Sequence, residues 1–167
     1  MLQPTVRRTW APQGQTPIHY SWDRRERLSA ISALTLSPQN RRRGLYFQLF
    51  PHNIATDEAE KFIASLLAHF PRGVILVWDR WMVHRAAARR LLARFPRRLQ
   101  VEWLPPYAPD LNPVEQVWNR TKYTDLANFL AEDTTSLSHA IKKSLRQTRA
   151  HQNLLRSFFK HAKLEFV

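Results

Sequence analysis

Residues 104–118 read LPPYAPDLNPVEQVW, in which four prolines crowd a short run that then turns into helix-like sequence. Each proline fixes its own φ and keeps the preceding residue out of the helical region, so 104–112 is predicted to be a loop. Asn112 is a good N-cap, Pro113 is favoured at the first helical position, and Glu115 falls at the third, the N-x-x-E form of a capping box. Upstream lie a short strand, Leu99 to Leu104, a helix from about His84 to Phe95, and the run Val74 to Asp79, VILVWD. That run reads as a strand buried on both faces. Its last residue, Asp79, sits where open α/β sheets place ligand-binding groups; it could equally cap the next turn or pair with Arg80.

Further out, Asp57 and Glu60 form a D-x-x-E capping pair before a helix with Ala59, Phe62, Ile63, Leu66, Leu67 and Phe70 on one face. Leu28 to Leu36 and Leu45 to Phe50 flank a turn containing Pro38, Asn40 and Gly44, the outline of a β-hairpin with Arg41, Arg42 and Arg43 as solvated charge at its tip. The first twenty residues suggest short strands around a turn near Gly14. Beyond Glu132 the chain is predicted to be helical, with one stripe at Leu137, Ile141, Leu145 and Thr148 and another at Leu154, Leu155, Phe158, Phe159 and Ala162. This succession describes a single α/β layered domain with a mixed sheet.

Charge narrows the function. Lys and Arg total 26 against 13 acidic residues, a formal charge of +13, which points to a polyanionic partner and to nucleic acid first. The absence of cysteine removes disulfides, thiolate zinc sites and thiol nucleophiles. The longest apolar run is too short to span a bilayer and the N-terminus has no apolar signal core, so a cytoplasmic protein without membrane attachment is expected. Between Arg80 and Arg98 lie seven arginines and no acid. Arg85, Arg89, Arg90 and Arg94 share much of one helix surface, either a phosphate-neutralising face or a solvated one. Lys142, Lys143, Arg146 and Arg149 are a weaker second candidate. His84 and Tyr107 are further candidates for DNA contact, each with an equally good packing role, and Trp118 reads as core. Asp79 and Glu115, two carboxylates on rigid elements, suit a hard divalent cation that binds phosphate at the same time.

At these residues a resemblance emerges. VWDRWMVHRA, followed by WLPPYAPDLNPVEQVWNRTK, resembles the catalytic core of bacterial insertion-sequence transposases of the Tc/mariner superfamily, the DDE recombinases. RRTWAPQGQTP, LSAISALT and LLRSFFK extend the likeness over nearly the whole chain. The resemblance implies a ribonuclease-H-like, retroviral-integrase-like mixed sheet flanked by helices, with three carboxylates holding two Mg²⁺ or Mn²⁺ ions. Asp79 matches the second carboxylate and Glu115 the third. It further implies metal-dependent strand cleavage at insertion-sequence ends and strand transfer into target DNA, with double-stranded DNA as partner, a homodimer, and a place on the bacterial nucleoid.

Two departures qualify the match. The family's first catalytic Asp lies on a strand just before the region resembling MLQPTVRRTWAP, in a D-E-x-G-F-like motif that this sequence does not contain. Asp23 and Asp57 are poor substitutes. Residues 1–167 are therefore expected to be a catalytic domain lacking that first central strand and the N-terminal helix-turn-helix region, inactive alone unless it borrows a strand. Arg80 stands where the family usually has Asn. Two rival readings are a non-catalytic DNA-binding or partner-binding remnant and a structure-specific nuclease of the same fold.

Overall fold

Ser37 closes the first hairpin: its Oγ accepts the backbone N–H groups of Arg41 and Arg42 at 3.1 and 3.0 Å. In the computed structural model, which describes residues 5–18, 27–39 and 41–164, this loop joins β1 (Ser29–Leu36) to β2 (Arg43–Phe50). The two pair antiparallel, from Ser29 opposite Phe50 to Leu36 opposite Arg43. Then follow α1 (Thr56–His69), β3 (Val74–Trp78), α2 (Met82–Arg94) and β4 (Leu99–Trp103). A 3₁₀ turn (Pro109–Leu111) leads into α3 (Pro113–Arg120), which runs on into a π turn (Thr121–Asp125). α4 (Thr134–Ala150) and α5 (Gln152–His161) complete the chain.

β3 and β4 pair in parallel, Val74 opposite Leu99 to Trp78 opposite Trp103, with α2 as the crossover that parallel strands require. Among the described residues no ladder joins β1–β2 to β3–β4. Both pairs nevertheless share one core, in which Ile31 of β1 and Leu99 of β4 meet Phe62, Ile63 and Leu67 of α1 and Ala87 and Leu91 of α2. A second core lies on the other face of the hairpin, where Leu45 meets Val117 of α3, Leu145 of α4, and Leu155 and Phe158 of α5. The hairpin is thus covered on both sides, as its alternation of inward side chains dictates.

β3 is covered on one side only. Ile75 is 66% and Val77 51% exposed, whereas Val74, Leu76 and Trp78 pack toward α1 and α2. The expectation of a strand buried on both faces fails because α3, α4 and α5 gather over the hairpin instead. The N-terminal segment differs too. Gly14 makes the expected turn, with φ +80° and Gln15 N–H bonded to the Pro12 carbonyl, but among the described residues the only pairing there is the bridge between Thr5 and Ala127. Asp23 lies outside the described residues.

At the start of α1 the cap is not the expected one. The helix begins at Thr56, and Glu58 reaches back to accept the Ala55 N–H at 2.9 Å. That bond holds the Glu58 carboxyl below its usual value. Both C-terminal stripes are realised: Leu145, Thr148, Leu155, Phe158, Phe159 and Ala162 are all buried.

Candidate active site

The parallel pairing brings the carboxyl ends of β3 and β4 side by side, and Leu104 N–H extends the ladder by donating to the Trp78 carbonyl at 2.8 Å. Asp79 leaves this edge directly. Its Oδ1 accepts the Trp81 N–H at 2.9 Å and the His84 Nδ1–H at 2.7 Å. The turn-capping role weighed for Asp79 is therefore real but uses one oxygen. Oδ2 has no partner among the described residues, and the side chain is 47% exposed. Arg80, the alternative partner, is exposed and forms no ion pair with Asp79.

His84 sits behind the carboxylate. Its ring stacks on Trp78 with centroids 4.2 Å apart and meets the edge of Trp81 at 5.1 Å. Burial lowers its pKa, against the opposing pull of Asp79. The imidazole is therefore neutral at neutral pH, and the hydrogen bond assigns its proton to Nδ1. Only 13% of the His84 side chain is exposed, and the hydrogen bond to Asp79 Oδ1 holds it behind the carboxylate. The sequence shows the five-residue spacing but not the stacking that orients the ring.

Glu115 arrives through the loop that leaves the neighbouring end of β4. Asn112 Oδ1 accepts the Val114 N–H at 3.2 Å, as expected of an N-cap. The reciprocal half of the capping box is absent, because the Asn112 N–H donates to the Pro109 carbonyl at 2.9 Å. The 3₁₀ turn thus does the work that Glu115 would otherwise do. The half-buried Glu115 carboxylate keeps no hydrogen-bond partner among the described residues. Val117, two positions on, is fully buried and locks α3 onto the second core, with Trp118 packed beside it. Two positions are about 200° apart on a helix, so burying Val117 turns Glu115 away from that core.

The arginine face divides. Arg90 Nη1 lies 2.6 Å from Asp57 Oδ1 and 3.5 Å from Glu60 Oε2, which raises its pKa, and Arg94 reaches Glu60 at 4.0 Å. The two acids read as a capping pair are instead the α1 half of a contact with α2. Arg85 and Arg89 remain exposed and form no ion pair among the described residues. Tyr107 is fully exposed, at φ +57° in the proline loop. Among the described residues no group of three His, Asp or Glu side chains is placed to hold a metal.

The arrangement is a mixed α/β fold in which Asp79, bonded through one oxygen, follows β3 and Glu115 stands in the first turn of the helix reached by the loop after β4. In the solved structures, the crystal structure of the Mos1 strand transfer complex matches 96% of this chain and 48% of that chain, with TM-score 0.60 and 18% identity. The likeness identifies the fold as ribonuclease-H-like, and this chain spans about half the length of that protein. The sequence pattern of the DDE superfamily endonucleases matches residues 1–138, and the chain belongs to that family. No curated protein matches it.

Proposed function

We propose that the chain is the catalytic domain of an insertion-sequence transposase that cuts and joins double-stranded DNA with Mg²⁺ or Mn²⁺. The observation that carries this reading is a pair of carboxylates, Asp79 and Glu115, each with an oxygen left unbonded among the described residues. Asp79 spends one oxygen on its own turn and keeps the other, and Glu115 is released from capping by the Pro109 carbonyl. An all-oxygen, anionic donor set fits a hard divalent cation. Held by Asp79 and Glu115, such an ion would supply activation of an attacking hydroxyl and stabilisation of the leaving oxygen of a phosphodiester. The protein's own part is placement. His84 and the Trp81 N–H fix Asp79, the stiff first turn of α3 presents Glu115, and Arg85 and Arg89 neutralise flanking phosphates.

By the family resemblance a third carboxylate would come from a strand between β1 and β3, and joining paired ends would take two copies. The test is nicking of a transposon-end duplex, with divalent metal, by the chain joined to an upstream strand bearing an acid. Cutting should vanish in Asp79→Ala and in Glu115→Ala. Metal-dependent cutting that survives both removes the proposed site. Salt-dependent DNA binding without cutting supports the remnant reading, and preferential cutting of RNA–DNA hybrids supports the nuclease reading.

A further inference from the structure

The outer edge of β2 carries a second, separate site. The bond from Ser37 N–H to the Arg42 carbonyl, 2.9 Å, sets the phase of the β1–β2 ladder. With the register fixed, Gly44, Tyr46, Gln48 and Phe50 bond to β1, and the alternate residues Arg43, Leu45, Phe47 and Leu49 direct N–H and C=O away from it. At Arg43 this outward pair is met by a side chain. The Arg43 N–H donates to Gln152 Oε1 at 3.1 Å, and its carbonyl accepts from Gln152 Nε2 at 2.8 Å. The carboxamide thus does what the backbone of another strand would do. Further along, Leu45 is buried against α3, α4 and α5, and it is the outward groups of Phe47 and Leu49 that have no hydrogen-bond partner among the described residues.

A cavity of about 330 Å³ lies against this edge. Phe47 lines it from β2, Phe62, Leu66 and His69 from α1, and Arg146 and Arg149 from α4. Both arginines are exposed and neither forms an ion pair among the described residues. We propose that this slot binds an extended acidic peptide, which adds a strand to β2 and alternates acidic with apolar side chains. Pairing with Phe47 and its neighbours supplies main-chain bonds, and strand geometry sends successive side chains to opposite walls. One set meets α1, where Ser65 and His69 border the slot beside the edges of Phe62 and Leu66; the other meets the guanidinium groups of α4, which call for acids two residues apart. Those acids stand about 6.8 Å apart on a strand and the arginines about 4.5 Å apart along the helix axis, a mismatch that long side chains absorb. The unpaired N–H and C=O row selects a peptide over a nucleic acid, whose backbone has no matching ladder.

The site uses none of the residues proposed for DNA cleavage, so the two readings stand or fall separately. The test is anisotropy of an end-blocked, labelled peptide alternating aspartate and valine, together with amide hydrogen exchange of the chain. Binding is expected, with slowed exchange at Phe47. N-methylation of alternate peptide residues should abolish binding in one register and spare it in the other. The exposed pair Arg146→Glu with Arg149→Glu should weaken binding about tenfold. The proposal is overturned if the peptide does not bind, if both N-methyl registers bind alike, or if the charge reversal leaves peptide affinity unchanged. It is equally overturned if a single-stranded oligonucleotide, rather than the peptide, binds in a manner lost on that reversal.

Discussion

Replacing Glu115 separates a ligand from a cap. In a complete capping box the third-position carboxylate bonds to the N-cap N–H, but here the Asn112 N–H is donated to the Pro109 carbonyl and the helix start is held by Asn112 Oδ1. Asn112→Ala therefore removes the one side-chain bond at this terminus and should cost about 1 kcal/mol of stability. Glu115→Gln keeps the shape and removes only the favourable charge at a helix N-terminus, worth about 0.5 kcal/mol at a half-exposed position. The assay is urea unfolding of both variants, with chelator and with Mn²⁺. Without metal, Asn112→Ala should lower the midpoint more than Glu115→Gln does. With metal, the wild-type chain should gain stability that Glu115→Gln does not. If Glu115→Gln is as destabilising as Asn112→Ala in chelator and metal makes no difference, Glu115 is a structural residue and its place in the site is lost.

Other outcomes follow from the same geometry. Arg85→Ala and Arg89→Ala should each reduce the slope of log K against log salt for DNA binding by about 0.9, whereas Arg90→Ala, whose side chain is held by Asp57, should leave it nearly unchanged; equal effects from all three would contradict the division of that helix face. His84 is held below its ordinary 6.5 by burial, so on acidification the unfolded chain takes up the proton first. The stability that this adds is complete above 6.5 and is lost as pH falls through the lower folded value, a step visible in the urea midpoint with chelator and absent in His84→Gln; a midpoint that rises on acidification would refute it. Glu58, lowered below 4.5, adds a separate loss in more acid solution. Gly73 has φ +96°, and a Cβ there would lie 2.5 Å from the Arg98 carbonyl oxygen, so Gly73→Ala should cost more than about 1 kcal/mol by thermal unfolding, against a null result if the turn can shift.

Periodicity carried most of the fold. The apolar spacing of α1, α4 and α5 and the short VILVW run are local signals, and the Asn112–Pro113 helix start is written in adjacent residues. The errors arise where a third element decides. Asp57, Glu58 and Glu60 crowd one helix start, and spacing alone cannot show that Arg90, some thirty residues on, takes two of them and leaves Glu58 to cap. A continuous apolar strand reads alike whether one face or two are covered, so the exposure of Ile75 and Val77 depended on where α3, α4 and α5 come to rest. Asp79 and Glu115 were legible as acids in unusual places. The hydrogen bonds that leave each of them an open oxygen were not, because they depend on the His84 ring and on the turn at Pro109. Gln152, which caps β2 across 109 residues of sequence, has no local signature at all.

Whether Asp79 and Glu115 share one ion is answered by anomalous diffraction from crystals of the chain grown with Mn²⁺. A manganese peak is expected within about 2.3 Å of Asp79 Oδ2 and of a Glu115 carboxylate oxygen, lost when either residue becomes its amide. A peak coordinated by only one of the two, or full occupancy retained in both amide variants, would contradict it.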